Sequence, residues 1–398
     1  MIEENLQTKK SKKRQFWNLW SSYALSYFGK VNLGIIIPVL LASYKNLSLY
    51  NIGLISSGFF FAYAIGQFLH GQISERHNPF IYVSLGLILS GIANLFLGFW
   101  GGFFIILLTL ETLDGFFQSM SWSSIVRANS EIQSKKDLSK SSTILGCSYQ
   151  FGNSLAWLVS AFVVGAWGWR AGFFVASGVL ILRGITLYFT KPKRKFKPKQ
   201  KISKQIKLTL SKKIVLSGFS LLLLNMVRYG VISWIPLYFF LAGDFSVGEM
   251  GQVGLKVFLI PIAGIFGTLI FNKLPMKKDW ISVIFLFLMG ITWIFFPFTE
   301  GIISTILLLL GSAFLYGSHV FLVSTVPTRF KDKNVVAGAT GFIDGAGYLG
   351  TVLIGLIVPF IILEGGGWNN VFLFWAGLSF VAAISVLINV KKGGRKDA

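Results

Sequence analysis

Long runs of apolar residues, separated by short polar stretches, recur along the whole chain. A membrane-spanning helix needs about 20 predominantly apolar residues. Twelve segments meet this requirement: residues 17–42, 51–72, 79–99, 102–127, 141–167, 170–190, 214–242, 247–272, 279–298, 301–326, 334–362 and 368–390. Runs of this length differ from the weak alternation of apolar and polar residues in membrane β-barrel strands. The pattern therefore predicts an all-α membrane protein with twelve transmembrane helices.

The composition supports a membrane protein and excludes an ordinary soluble domain. Of the 398 residues, 54% are hydrophobic and 13% are charged. The N-terminus lacks a short apolar core followed by a small-residue cleavage site, so no cleaved signal peptide is expected. The only cysteine, Cys147, lies inside a predicted span. A disulfide within the chain and a cysteine metal cluster are therefore excluded.

The formal net charge of +22 follows the predicted topology. Basic residues concentrate at both termini and in alternate loops, around Arg76, Lys135, Lys273 and Arg329, whereas the intervening loops have almost no basic excess. This is the positive-inside pattern, and it predicts an integral multi-pass protein of the plasma (inner) membrane with both termini in the cytoplasm. The partner that accounts for the charge is the lipid bilayer and not nucleic acid.

A long polar interruption divides the chain near its middle. Residues 191–213 contain eleven basic residues, two prolines and no acidic residue, and the stretch is long for a connection between packed helices. We interpret it as a basic cytoplasmic linker. It separates an N-terminal six-helix bundle, residues 1–190, from a C-terminal six-helix bundle, residues 214–398. The protein is expected to act as a monomer.

Two cations occupy matching positions in the two halves. Lys30 lies eight residues before Pro38, and Arg228 lies eight residues before Pro236. A charge near the bilayer centre costs several kcal/mol and indicates a functional site. In transporters built from two repeats, the substrate binds near the midplane between the halves. The pair therefore predicts a central anion site, in which arginine contributes a planar fork and lysine a compact charge.

The tyrosines nearest to these cations are the first candidates for further contacts with a substrate. Tyr27 lies about one helical turn from Lys30, and Tyr229 adjoins Arg228 in sequence. An aromatic residue in a helical bundle also packs against its neighbours in many cases, so the alternative role of these tyrosines is packing.

Other polar residues in the predicted spans have two interpretations each. Asp344 and Asp114 either take up a coupling proton or balance the charge of the buried cations. Lys256 is either a third cation of the site or a residue that snorkels or forms an ion pair. His319 is either a proton relay or a hydrogen-bonded residue of the bundle. For Glu111 the sequence favours a structural role.

The sequence contains no sign of a catalytic centre. No catalytic set, metal-ligand cluster or cofactor motif is visible, and no Gly-rich phosphate loop with a following lysine is present. We therefore expect no enzyme activity, no cofactor, no metal and no coupling to ATP within this chain.

Five segments together resemble the organophosphate:phosphate antiporters of the major facilitator superfamily, which include glycerol-3-phosphate and hexose-phosphate transporters. They are residues 27–32, 75–79, 118–127, 227–236 and 338–350. The segment around Arg76 resembles the hallmark loop of the superfamily, with Glu75 in place of the usual aspartate. The resemblance covers nearly the whole chain and implies the major facilitator fold, with two pseudo-symmetric six-helix bundles.

The resemblance also implies roles for individual residues. In that family the cations at the positions of Lys30 and Arg228 grip the substrate phosphate. Tyr149 stands at the position of a histidine in the glycerol-phosphate carriers, so it joins the candidate substrate contacts. The chain departs from the family in having lysine instead of arginine at position 30, and Asp344 in place of a small residue.

A second departure removes a charged pair. Val31 and Pro261 occupy the positions of a lysine and a glutamate that pair in the family. The departures affect the identity of the substrate more than the transport class.

Together these features predict a secondary active transporter of a small anion. The expected substrate is an organophosphate, exchanged for inorganic phosphate by alternating access around Lys30 and Arg228. One alternative is a proton-coupled transporter of another organic or inorganic anion. Another is a transporter-like membrane receptor for a sugar phosphate.

Overall fold

The computed structural model describes residues 2–44, 46–192, 206–207, 209–330 and 336–393. Throughout these ranges the regular structure is helical. The α-helices are α1 (Ile2–Lys30), α2 (Asn32–Ser43), α3 (Leu49–Ser74), α4 (Pro79–Trp100), α5 (Phe104–Gln118), α6 (Trp122–Ile132), α7 (Lys135–Trp167), α8 (Trp169–Thr190), α9 (Lys212–Ala242), α10 (Met250–Lys273), α11 (Lys278–Phe295), α12 (Gly301–Val320), α13 (Val326–Thr328), α14 (Val336–Glu364) and α15 (Trp368–Gly393). Each predicted span coincides with one helix or with consecutive helical pieces.

Ten helical segments of the described chain are long and apolar enough to cross a membrane. The fourth and fifth predicted spans do not meet that standard. The fourth is divided between α5 and α6, and neither piece is as long as a span. The fifth, α7, is long, but polar residues such as Gln150 and Asn153 dilute its apolar character. Both nevertheless occupy the places in the chain order that twelve spans require.

Local signals explain where several helices begin. Ser48 accepts a hydrogen bond from the backbone N–H of Asn51, whose side chain reciprocates, so α3 starts with a capping box. Ser134 caps α7, because its side chain accepts a hydrogen bond from the backbone N–H of Asp137. Pro79 stands in the first turn of α4, where a missing N–H costs nothing.

Two helix interruptions lie next to candidate site residues. The first span breaks at Val31, whose φ of −124° and ψ of −3° leave the helical region, so α1 ends at Lys30. The tenth span changes to a π-helical turn over Phe321–Thr325, two residues after His319. Interruptions of this kind frequently mark functional sites.

The second and eleventh spans, α3 and α14, pack closely along their length. A Cβ atom at Gly341 would lie 2.6 Å from the backbone oxygen of Gln67, so only glycine permits this approach. Nearer the other end of the pair, the Ser57 hydroxyl donates to the backbone oxygen of Val352 at 2.9 Å. The first and second halves of the chain are therefore joined at two separate levels along this helix pair.

A second contact between the halves runs between α7 and α10. The Gln150 amide donates to the Thr268 hydroxyl at 2.9 Å, and the Ser154 hydroxyl donates to the backbone oxygen of Phe258 at 3.0 Å. Polar hydrogen bonds of this type fix the register of helices inside a bilayer.

An ionic cluster closes one end of the bundle, which we call the basic end because the loops with Arg76, Lys277 and Arg329 lie there. Arg127 forms ion pairs with Glu75 at 3.4 Å and with Glu131 at 3.0 Å. Glu75 also accepts a hydrogen bond from the backbone N–H of Ala337, in the first turn of α14, at 3.1 Å. The carboxylate therefore links the first half to a helix N-terminus of the second half.

The predicted linker, residues 191–213, lies mostly outside the described residues. The domain boundaries at 190 and 214 therefore remain a prediction.

Candidate anion-binding site

The ammonium of Lys30 is enclosed by three tyrosines. Its Nζ donates to the Tyr348 hydroxyl at 2.7 Å and lies 3.7 Å from the ring centroid of Tyr63. The Tyr27 ring is 5.4 Å away. Tyr27 and Lys30 are three residues apart on α1, so they share a helix face. Only 6% of Lys30 is exposed.

Arg228 has an equivalent aromatic enclosure on the other side of the site. Its Cζ lies 4.6 Å from the ring centroid of Tyr229, 4.9 Å from that of Tyr149 and 5.4 Å from that of Tyr316. One guanidinium nitrogen, Nη2, donates to the Tyr27 hydroxyl at 3.2 Å. Stacking of this kind suits a planar guanidinium and stabilises its charge where water is excluded.

The two enclosures are connected to each other. The hydroxyls of Tyr229 and Tyr348 lie 2.7 Å apart, so the tyrosine that binds Lys30 also contacts a tyrosine beneath Arg228. Tyr27 stacks on Tyr149 with ring centroids 6.0 Å apart. Tyr27 thus lies beside Lys30 and also accepts a hydrogen bond from Arg228. All five substrate-contact candidates from the sequence meet in one cluster.

His319 joins the cluster through Tyr149. Its Nδ1 lies 2.7 Å from the Tyr149 hydroxyl. Its Nε2 is buried and has no hydrogen-bond partner among the described residues. His319 is therefore next to the arginine side of the site and not an isolated bundle residue.

Neither Lys30 nor Arg228 forms an ion pair with a carboxylate among the described residues. The ion pairs within 4 Å in that part of the chain involve Arg127 and Arg329. Aromatic faces and tyrosine hydroxyls stabilise both charges instead. The Nε of Arg228 is buried and has no hydrogen-bond partner among the residues that the structure describes. The arrangement therefore keeps both basic side chains and at least one N–H donor, within the described part of the chain, available for an anion.

The two acidic candidates lie in different surroundings. Asp114 accepts hydrogen bonds from Ser90 and, at 2.7 Å, from Asn94. Asn32 in turn donates to Asn94 at 3.0 Å, so Asp114 belongs to a polar network at the start of α2. The Oδ2 atom of Asp344 is buried and has no hydrogen-bond partner within the described part of the chain.

Lys256 lies apart from the cluster. Its side chain is exposed, and its ammonium rests 4.8 Å from the ring centroid of Phe245 and 5.6 Å from that of Phe239. The structure thus associates Lys256 with peripheral aromatic residues and not with Lys30 or Arg228.

Three tyrosines of the cluster are additions to the sequence-based candidates. Tyr63, Tyr316 and Tyr348 all contact a cation. The sequence contains one usable signal, because Tyr348 follows Asp344 by four residues on one face of α14 and Tyr316 precedes His319 by three. Tyr63 stands in an apolar stretch and gave no such signal.

The site is closed in this conformation. Lys30 lines a cavity of only about 20 Å³, which it shares with Ser56, Glu111 and Ser233 among other residues. That volume suits a water molecule but not a phosphate ester. No cluster of three or more metal-ligating side chains was found among the described residues.

These features define a class: a polytopic helical membrane protein with a cationic site enclosed between its two halves. The sequence model of the Major Facilitator Superfamily matches residues 19–355, and the chain belongs to that superfamily. The prediction from the sequence motifs is thereby confirmed.

The relatives fall in the predicted subgroup, the organophosphate:phosphate antiporters. The chain is 24% identical to the membrane sensor protein UhpC of Escherichia coli (strain K12), over 93% of this chain and 89% of that protein. It is 22% identical to a probable hexose phosphate transport protein of Chlamydia trachomatis, over 94% and 90%. It is 23% identical to the glycerol-3-phosphate transporter of Bacillus subtilis (strain 168), over 98% and 94%. These names describe transport and sensing, not enzymes.

A solved structure supports the fold. The crystal structure of a bacterial homolog to the human lysosomal transporter Spinster, in an inward-facing and occupied conformation, aligns with a TM-score of 0.71. The alignment covers 95% of this chain and 97% of that chain at 15% sequence identity. The chain therefore has the major facilitator fold that the sequence predicted.

Proposed function

We propose that this protein is a secondary active transporter that exchanges an organophosphate for inorganic phosphate by alternating access. The observation that carries the proposal is that Lys30 and Arg228, from opposite halves of the chain, meet in one tyrosine cluster. Within the described ranges, no carboxylate forms an ion pair with either cation. The relatives named for hexose phosphate and glycerol-3-phosphate transport support the substrate class.

A phosphate group matches the chemistry of the cluster. Arginine binds phosphate oxygens through two parallel N–H groups, and lysine adds a point charge. The tyrosine hydroxyls around both cations can donate further hydrogen bonds to phosphate oxygens. A dianionic phosphate also balances the two positive charges. This balance favours phosphate esters over neutral sugars as the transported species.

The contacts between the halves supply the two gates that alternating access requires. Glu75 and Ala337 close the basic end, and the contact between Ser57 and Val352 lies nearer the opposite end. In the proposed cycle one set opens while the other remains closed, so the anion meets one side of the membrane at a time.

The proposed orientation follows from the charge of the loops. The basic end faces the cytoplasm, both termini are cytoplasmic, and the protein resides in the plasma (inner) membrane. It acts as a monomer, because each cation is supplied by the same chain.

The test is phosphate exchange in proteoliposomes that contain labelled inorganic phosphate on one side. Removal of one cation eliminates a charge-assisted hydrogen bond of about 1.5–3 kcal/mol, which corresponds to roughly a ten- to hundredfold weaker affinity. Arg228→Ala and Lys30→Ala should each nearly abolish exchange. Arg170→Ala is the matched control, because this exposed cation only stacks on Trp169. Exchange at the wild-type rate in Arg228→Ala would contradict the proposal.

A second candidate function is reception of a sugar phosphate without transport. The similarity to the membrane sensor protein UhpC favours this candidate. Counterflow separates the two functions, since a receptor binds the anion but does not move it. Saturable binding by the purified protein, together with no counterflow for any phosphate ester that binds, would support the receptor.

A further inference from the structure

Asp344 is a buried acid placed beside the cationic cluster. Only 4% of the residue is exposed, and its Oδ2 has no hydrogen-bond partner among the described residues. It lies one helical turn before Tyr348 on α14, and Tyr348 is the residue to which Lys30 donates. The acid therefore faces the same space as the two cations.

Among the titratable side chains of the described residues, those that interact electrostatically with Asp344 include two cations and three tyrosines. Lys30 on α1 and Arg228 on α9 are the charged groups that act on it most strongly. The tyrosines within its electrostatic reach are Tyr23 on α1, Tyr63 on α3 and Tyr348 on its own helix. Among the described residues, no ion pair within 4 Å joins Asp344 to either cation, and its Oδ2 has no hydrogen-bond partner.

Glu111 is a useful comparison, because it is also buried and one of its carboxyl oxygens also has no hydrogen-bond partner in the described part of the chain. The charged group that acts on its carboxyl is, however, the acid Asp114, although Lys30 lines the same small cavity. A like charge opposes ionisation, whereas two cations favour it. Of these two buried carboxyl groups, Asp344 is therefore the one positioned to alternate between a charged and a neutral form.

The charges of the site set the consequence for transport. A closed, empty site with only Lys30 and Arg228 would enclose two uncompensated cations, which is costly in a membrane interior. In a transporter of that kind, the binding site changes from one side of the membrane to the other only when an anion is bound. Such a transporter performs strict exchange of one anion for another. An Asp344 carboxylate reduces the summed charge of Lys30, Arg228 and Asp344 to +1, and the tyrosine faces stabilise part of the remainder. Asp114 also acts on Lys30 but is held in a separate network with Ser90 and Asn94.

The loaded site has the opposite requirement. A dianion already neutralises the two cations, so an ionised Asp344 would leave a net charge of −1. A proton from the entry side removes that charge by binding a carboxylate oxygen of Asp344. The proton leaves on the exit side together with the anion. The empty binding site then opens to the entry side again with the Asp344 carboxylate ionised.

We infer that Asp344 is the proton-binding residue of this site, and that it allows net uptake of a phosphate-bearing anion together with a proton, in addition to exchange. This inference rests on the proposed function. It adds a coupling ion and a second mode of transport to the same site.

The experiment compares two kinds of proteoliposome, one filled with inorganic phosphate and one filled with phosphate-free buffer. Labelled inorganic phosphate is added outside at a pH below the internal pH, and potassium with valinomycin clamps the membrane potential. Wild-type protein should take up label into both. Asp344→Asn should exchange phosphate at a rate within about threefold of the wild type, since binding still rests on Lys30 and Arg228. Its rate of net uptake should be at least about tenfold lower than that of the wild type.

Two further variants make the result specific. Asp344→Glu keeps the acid and should retain net uptake, and Glu111→Gln should also retain it. Wild-type exchange without any net uptake would overturn the inference and leave the proposed function intact, as would undiminished net uptake in Asp344→Asn. Loss of exchange as well as net uptake in Asp344→Asn, with normal assembly in the membrane, would assign Asp344 to binding and also overturn it. A wild-type protein that performs neither reaction would overturn the proposed function itself.

Discussion

Lys30 and Tyr348 are 318 positions apart in sequence and are joined by a 2.7 Å hydrogen bond between the ammonium and the phenol oxygen. The bond connects the first span to the eleventh, and so it connects the two halves of the transporter at the site itself. The ammonium has three N–H groups, so it can hold this bond and bind a phosphate oxygen at the same time. Anion binding and the contact between the halves therefore meet at one atom.

The ring of Tyr63 should matter more than its hydroxyl. Its centroid lies 3.7 Å from the Lys30 ammonium, whereas its hydroxyl accepts a bond from the neutral Gln67 amide at 3.0 Å. A buried cation–π contact contributes about 0.5–2 kcal/mol, so Tyr63→Leu should weaken phosphate affinity roughly two- to thirtyfold. Tyr63→Phe keeps the ring and should stay within about threefold. Equilibrium binding of labelled phosphate to the purified protein measures both; equal losses in the two variants would contradict the role of the ring.

Substitution of one basic residue by another should have different effects at Arg228 and at Lys30. Arg228 combines a hydrogen bond to Tyr27 with contacts to three tyrosine rings, which a lysine ammonium cannot reproduce in one geometry. The rate of phosphate exchange in Arg228→Lys should therefore be at least about tenfold lower than in the wild type.

Lys30→Arg should be milder, because it retains the charge and restores the residue usual in the resembled family. Exchange rates in proteoliposomes, normalised to monodisperse protein, provide the comparison. A larger loss in Lys30→Arg than in Arg228→Lys would show that the compact lysine charge is the stricter requirement.

The sequence predicted the spans and the cations because both leave strong local signals. An apolar run of about 20 residues can be read directly, and a basic residue inside such a run is conspicuous, as at Lys30 and Arg228. Tyr63 illustrates the limit. Its importance depends on the distance to Lys30, which lies on a different helix, and no spacing within one helix encodes that distance.

The structure also separates residues that the sequence treated alike. Lys256 and Lys30 are both basic residues within apolar helices, yet Lys256 is exposed and Lys30 is buried. The difference arises from the rotation of α10 relative to its neighbours, which depends on packing contacts such as Gln150 with Thr268. Helix rotation is set by tertiary packing and not by hydropathy.

The topology can be tested by labelling single cysteines from outside intact cells. The basic loops predict cytoplasmic termini and a cytoplasmic linker. In a background with Cys147→Ser, cysteines introduced as Lys45→Cys and Glu300→Cys should react with a membrane-impermeant maleimide, and Lys199→Cys should react only after the cells are opened. External labelling of Lys199→Cys would reverse the proposed orientation.

Because α3 and α14 approach closely near the basic end, a larger side chain between them should prevent this end from closing. A Cβ atom at Gly341 would lie 2.6 Å from the backbone oxygen of Gln67 and 3.1 Å from the Cα of Gly71. These are backbone atoms, which cannot rotate away as a side chain can, so Gly341→Val should keep the two helices apart at this end. Gly377→Ala is the control, because a Cβ atom there meets no neighbour within 4 Å.

Gly341→Val should reduce phosphate exchange by at least about tenfold, because a carrier that cannot close at one end cannot complete the cycle. Phosphate binding should stay within about threefold of the wild type, since Lys30 and Arg228 are unchanged. Exchange in proteoliposomes and equilibrium binding to purified protein give the two readouts. A normal exchange rate in Gly341→Val would mean that transport does not require the helix contact seen here. A parallel loss of binding would mean that the substitution disturbs the site and not only its gate.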